Sequence, residues 1–141
     1  MNKEFVSFLI ALTFPLFMFG QSATVNNCNK VKYGTFYFYP ENVQNGFIII
    51  RKKNIQKEIN LKTSDTTFWG VKWKNTCEFN LKFIRKSRLI SNEEKAFYNS
   101  HVSVVNILKV TKEYYVFNAG LDSLTNKSAL IDTLWFKARI N

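Results

Sequence analysis

Residues 67–86 alternate between apolar and polar side chains with a period of two, and this restricts the chain's fold more than any other feature. Trp69, Val71 and Trp73 fall on one side, with Phe68, Gly70 and Lys72 on the other. Lys74-Asn75-Thr76 reads as a hairpin connection. Cys77, Phe79, Leu81 and Phe83 then resume the apolar side, against Glu78, Asn80 and Lys82. A helix would spread these residues around its circumference, whereas a strand sends every second side chain to one face. The pattern requires a half-buried antiparallel sheet.

The same period recurs along the chain, with turn chemistry between the runs. Tyr33–Tyr39 is an aromatic strand that stops at Pro40, and Pro40–Gly46 is a turn. Phe47–Lys53 is a second strand whose basic end leaves the core. In a third, Ile55, Lys57, Ile59 and Leu61 alternate with Gln56, Glu58 and Asn60, so Lys57 is a misfit on the apolar side. Thr63-Ser64-Asp65 turns the chain into the hairpin at 67–86. Ser87–Ser100 breaks the rhythm. Ser91-x-x-Glu94 has the form of a capping box, and 92–99 reads as two helical turns with Phe97 and Tyr98 available to the core. Strands follow at Val102–Thr111 and Tyr114–Asn118, joined by Lys112-Glu113. Ala119–Ser128 is loop, and Ala129–Ala138 is the last strand. About eight sequential strands predict an all-β antiparallel meander, curled into a lipocalin-like barrel or strongly curved sheet. Closure removes the exposed edges a flat sheet would keep. A two-sheet sandwich is the alternative.

The N-terminus reads as an export signal. Lys3 gives a charged start, Phe5–Phe19 is an apolar run shorter than the ~20 residues of a membrane span, and Gly20, Ser22 and Ala23 supply small residues for cleavage. Residues 1–20 are thus expected to be a signal peptide and 21–141 a single β domain that works in the periplasm or outside the cell. Lys3 and Glu4 cancel, so the formal charge of +10 belongs to the mature domain. Outside the cytosol such a surface meets anionic lipids, acidic polysaccharide or extracellular nucleic acid. Cys28 and Cys77 are the only cysteines, and an exported chain most simply joins them. The bridge would close a loop of about 50 residues, a stabilisation on the order of 4 kcal/mol. Residues 21–30 read as a polar leader into the fold, and Asn126-Lys127-Ser128 matches the N-glycosylation pattern.

Cys28, the run Val31-Lys32-Tyr33-Gly34-Thr35-Phe36, the Ile50-Arg51 pair, Val71-Lys72-Trp73 and Thr76-Cys77-Glu78-Phe79-x-Leu81 occur in that order. Together they resemble a family of short, exported, uncharacterised bacterial proteins, some carrying a DNA topoisomerase IV label. The resemblance covers residues 28–117 and implies no established function. A topoisomerase needs a catalytic tyrosine within a large DNA-gripping assembly, which residues 21–141 cannot supply.

Catalytic signatures are missing from the sequence: it has no G-x-S-x-G, no P-loop and no H-E-x-x-H. His101, the single histidine, lies between a polar loop and a strand and reads as a surface or capping residue. Glu93-Glu94 suits the first helical turn. The expectation is a non-enzymatic protein without cofactor or metal. Asp132 shares an apolar strand face with Leu130, Leu134 and Phe136, and a buried ion pair with Lys57 is expected. The abundant aromatics pack a core or line a barrel left open for a small apolar ligand. Lys72, Lys74, Lys82 and Lys86 are expected on the outward side of one hairpin, with Arg51 and Lys52 near, as a basic surface for an anionic envelope or polysaccharide partner. Specific nucleic-acid binding and a membrane span after cleavage are not expected. A structural or interaction module of the cell envelope, with a fully packed core, is the other reading.

Overall fold

The computed structural model describes residues 27–41, 46–122 and 130–139. The expected signal peptide at 1–20 and the Asn126 glycosylation pattern lie outside these residues. Eight strands follow one another: β1 (Gly34–Phe38), β2 (Phe47–Lys52), β3 (Ile55–Asn60), β4 (Thr66–Trp73), β5 (Glu78–Lys86), β6 (Ser103–Val110), β7 (Tyr114–Leu121) and β8 (Leu130–Trp135). One helix, α1 (Asn92–Ser100), connects β5 to β6. Each strand pairs antiparallel with the next, and β8 returns to β1, so the expected meander closes into a barrel. The apolar rows face inward. Phe36, Ile49, Val71, Phe79, Leu81, Val105, Ile107, Tyr115, Phe117 and Leu134 are all buried. Fully burying an aliphatic or aromatic side chain is worth about 1.5–3 kcal/mol, so this row carries most of the driving force. Phe36 and Tyr115 meet edge to face across the interior, at 5.4 Å and 89°.

One end of the barrel is plugged. Cys28–Val31 forms a short 3-10 helix in which Cys28 and Val31 are wholly buried. The segment that reads as a polar leader thus contributes Cys28 to the core, while Asn29 and Lys30 stay exposed. A disulfide joins Cys28 to Cys77, in the turn between β4 and β5, with the Cα atoms 5.3 Å apart. At the opposite end stands α1. The Ser91 hydroxyl accepts the Glu94 amide at 3.1 Å, as its capping box predicts. Tyr98 stacks on Phe83 at 4.4 Å and meets Trp69 at 5.7 Å. Phe97 does not join the core; it is exposed and stacks on His101 at 4.5 Å.

The structure corrects two strand faces and the length of a third strand. β3 is turned over: Gln56 is buried and Lys57 exposed, so its polar row, with Glu58, faces the interior. The two-residue turn at Lys53 and Asn54 sets this register. It pairs Arg51 with Gln56 and Ile49 with Glu58, and Ile49 and Arg51 already point inward. In β5 a bulge opposite Phe68 and Trp69 adds Ile84 to the strand. The bulge reverses the alternation, so Lys86 pairs with the buried Thr67 and turns inward with it. β7 runs to Leu121 instead of ending at Asn118, because Ala119–Leu121 pair with β6 at Val105–Ser103.

Candidate functional site

Residues of all eight strands line a cavity of about 260 Å³, just below the roughly 300 Å³ at which small-molecule sites usually begin. Phe38, Phe47, Leu81, Val105, Phe117 and Leu134 give it apolar walls. Ser103, Ala119 and Leu130 place it toward the α1 end, away from the disulfide, and Arg51, Phe79 and Tyr115 lie beneath it, toward the plug.

A single polar strip crosses this apolar chamber. Arg51 is 1% exposed, and each nitrogen of its guanidinium donates to the protein. Nε donates to Gln56 Oε1 at 2.7 Å, one terminal nitrogen to the Val31 carbonyl at 2.6 Å, and the other to the Tyr115 hydroxyl at 3.2 Å. The Phe36 and Phe79 rings lie 5.2 and 4.4 Å from its central carbon, which supports the charge where water cannot. Gln56 passes the interaction on, its Nε2 donating to Glu58 Oε1 at 2.9 Å. A buried cation and a carboxylate are thus coupled through one amide. Burial holds the Glu58 carboxyl above the usual carboxylate range, against the opposing pull of Gln56, Trp69, Arg51 and Lys86. Its surface is half-buried, and it lines the cavity. The Trp69 indole N–H sits beside this carboxylate without hydrogen-bond geometry and is buried with no acceptor. Burial likewise raises the Tyr115 hydroxyl, although Arg51 draws it down.

Two members of the sequence-expected basic surface, Arg51 and Lys86, do not belong to it. Arg51 is the largest fully buried side chain of the barrel, not a surface cation. Lys86 is drawn to the α1 end, where its Nζ meets Glu94 Oε1 at 3.1 Å and the Tyr98 hydroxyl at 3.4 Å. Lys74 is exposed but pairs with Glu78 at 3.5 Å. Lys52, Lys72 and Lys82 are exposed, and Lys72 and Lys82 stand on the outer face of β4 and β5. The Lys57–Asp132 ion pair does not form either. Lys57 stands outside with its Nζ 5.5 Å from the Phe68 ring, which Arg85 also covers at 3.8 Å. Asp132 shares the inward row with Leu134, and its Oδ1 accepts the Thr133 amide at 2.7 Å. The wall of the barrel separates the two because β3 is turned over.

His101 is the C-cap of α1, its Nδ1 within 2.8 Å of the Phe97 carbonyl and 2.9 Å of the Ser100 hydroxyl. That is the capping role its position in the sequence indicates. Among the described residues no three His, Cys, Asp or Glu side chains stand together as metal ligands. No helix among them is long and apolar enough to cross a membrane. Comparison with family models, with curated proteins and with solved structures finds no match to this chain.

Proposed function

We propose that this is an exported, non-enzymatic binding protein of lipocalin-like form whose barrel interior holds a small, mostly apolar molecule. The observation that carries the reading is the cavity of about 260 Å³, walled by aromatic and aliphatic side chains and crossed by one polar strip. A strip of this kind orients a ligand, while the apolar walls supply the affinity. The Cys28–Cys77 bridge fits work in an oxidising compartment such as the periplasm or the extracellular space. A purely structural module of the envelope would gain stability by filling this space, because unfilled volume forfeits packing contacts.

Native mass spectrometry of protein exported by its own host tests the reading, alongside intrinsic tryptophan fluorescence. Trp69 lines the cavity, so an occupant changes its surroundings directly. A co-purified small mass, or saturable fluorescence change with short-chain lipids, is expected. Protein that carries nothing and responds to none of them would leave the structural module as the better description.

A further inference from the structure

Resting on that interior-binding reading, we propose that the cavity selects a neutral apolar molecule bearing a hydroxyl group, held between Glu58 and Trp69, and rejects the matching carboxylate. Both residues line the cavity. They also belong together by register: Trp69 pairs with Gln56, and Glu58 with the neighbouring Thr67.

Three observations set the selectivity. First, Arg51 is largely engaged by the protein. Each of its three nitrogens already donates, to Gln56, Val31 and Tyr115, two rings flank its central carbon, and its charge is set against Glu58. Lys86, the other cation that acts on Glu58, is held by Glu94 and Tyr98. Second, Arg51 and Glu58 compensate each other through Gln56, and Asp132 adds a further carboxylate to the inward row. A ligand carboxylate would therefore enter as an uncompensated negative charge in an apolar chamber, beside one of its own kind. Third, the polar atoms left over ask for a hydroxyl. Gln56 engages Glu58 at Oε1, so the carboxylate keeps capacity to accept, while the Trp69 N–H beside it falls short of hydrogen-bond geometry with it. A hydroxyl both donates and accepts, and satisfies the two at once. A buried donor without an acceptor is costly, so a ligand that repairs it gains affinity specifically.

Isothermal titration calorimetry with octanol and with octanoate, at mildly alkaline pH where octanoate is ionised, reads this directly. Wild-type protein is expected to bind octanol roughly ten-fold or more tightly than octanoate. Glu58→Gln removes the like charge and is expected to shrink that ratio to about three-fold or less. Trp69→Phe keeps the ring but loses the N–H, and should weaken octanol binding several-fold. Octanoate binding as tightly as octanol to the wild type, or an unchanged ratio in a folded Glu58→Gln protein, would overturn the assignment and leave interior binding standing. Binding of neither compound would remove both. The wild-type ratio decides the point even where a variant does not fold.

Discussion

Arg51 organises the interior, and its removal should be felt well beyond its own volume. Arg51→Ala strands the Gln56 Oε1, the Val31 carbonyl and the Tyr115 hydroxyl without their shared donor, and leaves the Glu58 carboxyl without its compensating cation. Breaking one side of a buried charged network costs about 3 kcal/mol or more, which urea unfolding would report as a lower midpoint. Arg51→Lys should recover little, because one ammonium cannot span acceptors on three sides of a planar fork. Glu58 supplies a pH signature. Burial raises its folded pKa above the ordinary carboxylate value, so the folded chain holds that proton more tightly than the unfolded one. Its contribution is therefore complete below the ordinary carboxylate range and is lost as pH rises through the raised value. Glu58→Gln should flatten that part of the stability profile in a series of urea titrations across pH. A third position is set by the backbone. Gly46 has φ +67°, and a Cβ there would collide with the Phe38 carbonyl oxygen. Gly46→Ala should cost about 2 kcal/mol or more in the same assay. The interior polar strip was hard to read from sequence for a definite reason. Phe47-Ile48-Ile49-Ile50 is apolar on both faces and gives no parity, so Arg51 looked like the strand's exit into water. The available signal was the short Lys53-Asn54 turn, which ties the face of β3 to that of β2, together with Lys57 spoiling the apolar row.

At the level of elements, the disulfide does more than close a loop. It holds the 3-10 helix that presents the Val31 carbonyl to Arg51, so plug and polar strip are one assembly. The double variant Cys28→Ser, Cys77→Ser should lose on the order of 4 kcal/mol by the chain-entropy argument, measured as the shift in unfolding midpoint against the oxidised protein. Both cysteines, the helix and the order of the strands were legible because each has a local signature: an alternating run, a capping box, turn residues. Bulges have none. Ile84 looks like any strand residue, yet the extra position moves Lys86 from the outer face to the helix end of the barrel. The extent of β7 was hidden for a similar reason, since Ala119–Leu121 has weak strand propensity and is held by pairing with β6.

For the whole molecule, closure follows from the meander, but whether the barrel is filled or hollow depends on which residues meet inside. Inverting β3 replaces an isoleucine row with Gln56 and Glu58, and this turns a plain apolar core into a chamber with chemistry at its centre. Of the basic residues the sequence placed on one surface, Lys52, Lys72, Lys74 and Lys82 are exposed, while Arg51 and Lys86 are drawn into the barrel's own ion and hydrogen-bond network. The hollow interior is therefore the claim on which the function rests. A crystal structure of the protein grown with bromo-octanol tests it most directly, because anomalous scattering locates the bromine without reference to any assumed pose. The bromine should lie inside the barrel among Phe47, Phe117 and Leu134, with the hydroxyl between Glu58 and Trp69. An interior closed by repacked side chains, with bromine absent or found only on the outer surface, would contradict it.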